Sequence, residues 1–327
     1  MRIVTLASSA LLIGSAPADV PTGRFQEWRS WTKAPLNFTS GGITIAVAPL
    51  QCPAHPLGDN SCSWDHYNNQ AQVTITAPGV APITVKTDPA GAYARIAVAR
   101  LRSSDRRPGV IIESQSGGSG GDMTLQLLVP TRGGYLPATS QAAGIGLQGA
   151  LEDGPRDVSG DGEVDLVLQD PAFAHVFGCN ACTPRPPLIV TVKGGRIVDE
   201  SRDPALRAVF LADMVRWGPV CLSTNRYRNG ACATYVADAA RAGRLAAAWS
   251  AMLKHYEPGE DLWEPCDVPV SQWKDHQCPA GHVTHFADFP ASLRAFLKRA
   301  GYLPDLRPFA SAPAPPARRS PPVARRR

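Results

Sequence analysis

Hydrophobic and polar positions alternate in short runs over the first two-thirds of the chain. Ile43-Thr44-Ile45-Ala46-Val47 and Val73-Thr74-Ile75-Thr76 follow a period of two, and Ile83-Thr84-Val85 repeats it after a Pro-Gly turn region. Ile96–Leu101, Val110–Ser114, Thr124–Val129, Val164–Leu168 and Leu188–Val192 continue the series, separated by Gly, Pro, Asp and Ser. Short β-rich runs bounded by turn residues predict an antiparallel β domain. Gly194-Gly195, between Thr191-Val192-Lys193 and Arg196-Ile197-Val198, predicts a hairpin.

The period changes at Asp203-Pro204. Asp203 suits a helix cap with Pro204 in the first turn, and Leu206, Val209, Phe210 and Met214 then share one face. A second helix is predicted over about 231–256, burying Tyr235, Ala239, Leu245, Trp249, Met252 and Leu253. A third begins near Phe289, places Leu293, Phe296 and Leu297 at helical spacing, and stops at Gly301. Strands first and helices last predict an α+β protein: an antiparallel β-rich domain over 19–203, then a small disulfide-stapled helical domain over 204–303. The Pro/Ala/Arg composition of 304–327 cannot build a core and predicts a disordered tail.

Residues 1–18 read as a signal peptide. Arg2 precedes an apolar stretch from Ile3 to Ile13, and Ala16-Pro17-Ala18 fits a small-x-small cleavage site. The competing reading is a buried first strand or helix. The stretch is shorter than the roughly 20 residues a bilayer requires, and no later segment is long enough, so no transmembrane anchor is expected. The expected place is the periplasm or the exterior.

The net charge of +5 resides in the ends. The tail carries six arginines against Asp305 and the leader carries Arg2, which leaves Asp19–Leu303 at −1. A body of that balance lacks the basic excess of a duplex-binding domain, so no nucleic acid partner is expected.

Eight cysteines fall into four near neighbours: 52/62, 179/182, 221/232 and 266/278. Sequential pairing closes a short loop in each case and suits an oxidising compartment. Two other chemistries compete. Cys179-Asn180-Ala181-Cys182 is a CxxC, but Thr183-Pro184-Arg185-Pro186-Pro187 follows it where a redox motif needs a helix. Cys266, Cys278, His282 and His285 have the ligand types of a zinc site.

The sharpest local signal is Asp157-Val158-Ser159-Gly160-Asp161-Gly162-Glu163-Val164-Asp165-Leu166. Counting from Asp157, oxygen-bearing side chains fall at positions 1, 3, 5 and 9 and Gly at 6, which suits a hard cation that needs six to eight oxygens. The EF-hand's Glu at position 12 is replaced by Leu168, and Val164, Leu166 and Leu168 alternate as a strand. The loop is therefore expected to lead into a strand, with Asp165 closing it. The competing reading is an acidic turn that binds nothing.

D-x-S-G-D-G-x-x-D-L followed by a strand resembles the calcium loop of FG-GAP/VCBS-type repeats, the blade units of integrin-like β-propellers. The resemblance implies Ca²⁺ as the cofactor, partial propeller-like repeats, and Asp157, Ser159, Asp161, Glu163 (through its carbonyl) and Asp165 as ligands. Ser159 stands where the family often has Asp or Asn, which weakens the site. More widely, Val110–Gly118, Met123–Val129, the acidic loop, Pro187–Val190 and the close Phe289-Pro290, Leu293-Arg294, Phe296-Leu297, Gly301-Tyr302 resemble a group of uncharacterised exported bacterial proteins with a Cys-containing helical end. That resemblance implies no activity.

A shift of 56 residues places Asp105 on Asp161 and Val110-Ile111-Ile112 on Leu166-Val167-Leu168. The earlier copy has Leu101 and Gly109 where the later one has Asp157 and Asp165, so it keeps the strand and loses the site. Ser114 and Ser116 lack a nucleophile elbow, and Gly117–Gly121 lacks the ending of a phosphate loop. Two function classes remain. One is a non-catalytic, monomeric exported protein whose calcium-stiffened β domain binds a protein or glycan. The other is an envelope hydrolase using His282 or His285 with a carboxylate.

Overall fold

A computed structural model describes residues 17–32, 34–50, 70–87, 93–115, 123–140, 147–148, 151, 154–179, 183–225, 228–259, 262–275 and 277–303. The expected signal peptide (residues 17 and 18 apart), the Cys52/Cys62 pair, Cys182, Gly117–Gly121 and the tail lie outside those residues.

The fold is α+β. Its first strands are β1 (Ala18–Asp19), β2 (Gln26–Arg29), β3 (Leu36–Ser40), β4 (Ile43–Pro49), β5 (Ala71–Thr76), β6 (Ile83–Lys86), β7 (Tyr93–Ala99) and β8 (Gly109–Gln115). β9 (Met123–Thr131), β10 (Gly134–Pro137), β11 (Thr139–Ser140), β12 (Leu147–Gln148), β13 (Leu166–Gln169), β14 (Pro187–Lys193) and β15 (Arg196–Asp199) follow. The α-helices are α1 (Arg207–Cys221), α2 (Arg228–Arg241), α3 (Leu245–Met252) and α4 (Phe289–Arg299). Two compact units result. One takes the chain up to Gln169 with Leu188–Ser201, and the other takes Asp170–Pro187 with the chain from Arg202.

The β-rich unit holds three open sheets, ordered β1-β3-β4-β5-β6, β10-β9-β8-β7-β2 with β12 beside β9, and β11-β15-β14-β13. Apart from β13 on β14, the pairs are antiparallel except β1 on β3 and β11 on β15, which are parallel. Residues of alternate parity in the middle sheet enter two cores. Ile96, Val98, Val110, Ile112 and Leu128 join Ile43, Ile45, Val73 and Ile75, while Ala97, Ile111, Leu125 and Leu127 join Leu166, Leu168, Val190 and Val192. That is why every residue of β8 is buried, and why its sequence is a continuous apolar run that ends in buried polar residues. Gly109 at its start is required by close approach: a Cβ there would lie 2.5 Å from Leu101 Cδ1 and 2.7 Å from the Leu128 carbonyl oxygen.

The helical unit forms around aromatic side chains. Phe173 and Phe177 come from the 170–187 segment, which lies inside the expected β-rich stretch but groups with the helices. Phe296 meets Phe173 and Phe177 edge-on at 4.8 and 5.2 Å between ring centres, an arrangement that favours the ring quadrupoles. Asp288 caps α4 by accepting from the Ala291 amide at 2.8 Å, and the helix ends before Gly301 at φ +75°. The helix predicted over 231–256 is two helices. Gly243 takes φ +73° between α2 and α3, and the Arg244 amide donates to the Ala239 carbonyl at 2.7 Å, closing α2 where the apolar pattern runs on. Among the described residues, no helix is long and apolar enough to cross a membrane.

Candidate functional site

The acidic loop hangs from a two-residue bridge. The Asp165 amide donates to the Arg156 carbonyl at 2.8 Å, which brings both ends of the loop together ahead of β13. Gly160 at φ +79° and Gly162 at φ +86° make the turns between, and their amides donate to Asp157 Oδ1 and Oδ2 at 2.6 and 2.9 Å. The buried Asp165 Oδ2 accepts from the Val158 and Ser159 amides at 2.9 and 2.7 Å, and Asp161 Oδ1 accepts from the Glu163 amide at 2.9 Å. Three carboxylates thus satisfy five loop amides, so the winding of this loop is directed by its own side chains.

For a metal, the donor chemistry fits and the placement is unfinished. Asp161 Oδ2, Asp165 Oδ1 and the Glu163 carbonyl accept no hydrogen bond among the described residues, so hard oxygen donors remain for a cation. Yet no three His, Cys, Asp or Glu side chains among the described residues are grouped closely enough to hold an ion. Asp157 and Asp165 are turned onto amides, Ser159 Oγ lies 3.5 Å from Asp157 Oδ1, and Asp161 lies on the exposed rim.

Glu163 has a second role that its place in the motif does not announce. Its carboxylate accepts from both the amide and the hydroxyl of Ser103 at 2.9 Å, and the Val164 amide donates to the Leu101 carbonyl at 3.3 Å. The acidic loop is therefore tied to residues 101–105, the stretch related to it by the 56-residue shift. Within that stretch, Arg102 donates through Nε and Nη2 to the two oxygens of Asp105 at 3.0 and 2.5 Å, and this hydrogen bonding raises the Arg102 pKa.

A second ionic feature escaped the sequence reading. Arg95 on β7 faces Glu113 on β8 in register, donates to it from Nε at 2.6 Å, and stacks over Phe25 with 5.0 Å from Cζ to the ring centre. Glu113 is 0% exposed and also accepts from the Leu151 amide at 3.0 Å. Burial pushes its carboxyl up, with the Leu151 amide and the Arg95 charge pulling the other way. The only sequence signal is a charged residue inside an apolar strand.

The histidines each meet a carboxylate across a short antiparallel bridge between Cys266 and Val283. His282 Nδ1 lies 2.7 Å from Asp267 Oδ1, and His285 Nδ1 lies 2.8 Å from Glu264 Oε1. Their side chains are 46% and 72% exposed. A disulfide joins Cys266 to Cys278 and removes both thiols from the zinc reading; another joins Cys221 to Cys232, linking α1 to α2. Cys179 is disulfide-bonded.

These features define an α+β chain with a β-rich unit carrying a carboxylate-wound loop and a disulfide-stapled helical unit. Residues 208–301, within the helical unit, match the family described as the sll0997 C-terminal domain. The chain is 25% identical over 300 residues to the uncharacterized protein y4bJ of Sinorhizobium fredii, covering 87% of this chain and 43% of that protein. It is 29% identical over 161 residues to the probable thylakoid lumen protein sll0997 of Synechocystis, covering 47% of this chain and 46% of that one. It therefore spans less than half the length of these curated relatives. No solved structure matches it significantly.

Proposed function

We propose that this is an exported, non-catalytic protein of the cell envelope whose β-rich unit presents a binding surface, with Ca²⁺ as an additional brace on the loop 157–165. The carrying observation is the clamp from Glu163 to Ser103, which makes the acidic loop a support for a neighbouring loop. Export is supported by the signal-like residues 1–18, by the disulfides, and by similarity to a probable lumen protein. Calcium at Asp157, Ser159, Asp161, Glu163 and Asp165 is supported by the donor types, the two glycine turns and the oxygens left open; this is the FG-GAP/VCBS-type reading of the loop.

The two His–carboxylate pairs favour a second reading as a hydrolase, because a carboxylate on Nδ1 sets the tautomer that a histidine base needs. Their exposure weighs against it, since such chemistry relies on a site that excludes water. The test is to incubate the protein with chromogenic ester, phosphoester and glycoside substrates beside a His282→Ala/His285→Ala double variant. The proposal expects no turnover above background from either. Turnover that the double variant abolishes would establish the hydrolase instead.

A further inference from the structure

A cleft of about 630 Å³ opens at one end of the middle sheet, between the loop leading into β8 and the turn joining β9 to β10. That volume is in the range of small-molecule sites. Its wall carries three guanidinium groups, on Arg106, Arg107 and Arg132. None of them is in an ion pair among the described residues. The single carboxylate in the wall, Asp105, has both oxygens held by Arg102, so it does not offset those charges.

Arg107 is the informative member. Its Nη1 is buried without a hydrogen-bond partner, a costly state for a charged donor. Its charge reaches the Tyr135 hydroxyl, which is pushed up by burial and pulled back by Arg107, and that hydroxyl donates to the Pro108 carbonyl at 3.1 Å. The rest of the loop is fixed in advance. Glu163 holds Ser103, Arg102 holds Asp105, and a Cβ on Gly41 would come within 3.0 Å of Pro108 Cγ. A rigid loop bearing unpaired guanidinium groups loses little freedom on binding, and guanidinium forks match the oxygen edges of phosphate.

We propose that this cleft is a binding site for a small soluble ligand carrying a multiply charged oxyanion, of the size of a sugar phosphate. This inference rests on the reading of the β-rich unit as a non-catalytic binding module, and it names the ligand class. A dianion answers most of the +3 charge of three guanidinium groups where a monoanion would leave two uncompensated, and the volume exceeds that of one inorganic oxyanion. Arg107, set deeper in the wall, supplies the inner charge; Arg106 and Arg132 meet the ligand from the exposed rims.

The test is calorimetric titration of the full chain with glucose 6-phosphate in buffer freed of divalent cations on a chelating resin, so that calcium plays no part, with sodium chloride at matched ionic strength as the control. Wild type should bind saturably at one site. Arg107→Gln and Arg132→Gln should each weaken binding about tenfold or more, as loss of a charge-assisted pair requires. Arg196→Gln, on an exposed position of β15, should leave it unchanged. Because Arg107 is partly buried, the exposed Arg132 variant keeps the test valid if the first misfolds. An absent heat, or a response that sodium chloride reproduces, would overturn the site. Binding only to vesicles containing phosphatidylglycerol would overturn the soluble ligand in favour of a lipid surface. Released inorganic phosphate, measured in the same samples, would overturn the non-catalytic reading while leaving the site in place.

Discussion

Two carboxyl groups, Glu113 and Asp213, are held away from water, and burial pushes both up. For Asp213 the opposing influences come from its neighbours Asp238 and Trp217 and from the charge of Arg216. A carboxyl raised in the folded state stabilises fully below its ordinary pKa of about 4, and that contribution is lost as pH rises through the folded value. Asp213→Asn should therefore flatten the fall of melting temperature as pH rises above about 4; a curve parallel to wild type would contradict this. Glu113 sits in a different balance, because Arg95 neutralises it. Arg95→Ala should destabilise by about 3 kcal/mol, the low end for a broken buried pair because Arg95 is itself 28% exposed. Replacing both partners by apolar residues (Arg95→Met with Glu113→Leu) should recover most of that loss in urea unfolding.

Elements were legible where burial is one-sided. β4 and β5 alternate buried and part-buried residues as their sequences alternate, and Gly194-Gly195 turns β14 into β15. β2 was not legible, because Trp28 is the only buried residue of Gln26–Arg29 and one residue sets no period. The strand over Val110–Ser114 was legible but the burial of its polar end was not: neighbours cover both faces, so Glu113, Ser114 and Gln115 are buried despite their chemistry. The merged second helix follows from reading apolar spacing alone, since Trp249 and Met252 continue the pattern past a glycine that reverses the backbone. Gly243→Ala should cost about 1–2 kcal/mol by forcing a Cβ into the left-handed region. The link from α1 to α2 should matter more. Cys221→Ser with Cys232→Ser reopens an 11-residue separation and should lower stability by about 3 kcal/mol in chemical denaturation.

At the scale of the whole molecule, chemistry concentrates at loops of the β-rich unit. The acidic loop and its oxygen-bearing side chains were legible in the sequence, because spacing and glycines are local properties. The sequence could not place Glu163 on Ser103 or leave Arg107 unpaired, because both depend on strands far apart in the chain. We propose that the loop, already wound by its carboxylates, takes up Ca²⁺ through its remaining oxygens. Asp161 tests it most cleanly, being exposed and bound to a single amide. The measurement is thermal unfolding against calcium concentration for wild type and Asp161→Ala, with magnesium in parallel. For an affinity of ~10⁻⁴–10⁻³ M, as in extracellular sites, about 10 mM calcium should stabilise wild type by roughly 1.4–2.7 kcal/mol. Wild type should melt several degrees higher with calcium and rise less with magnesium, and Asp161→Ala should show no rise. Superimposable calcium curves for the two proteins would contradict it and leave the loop as an amide-satisfied turn.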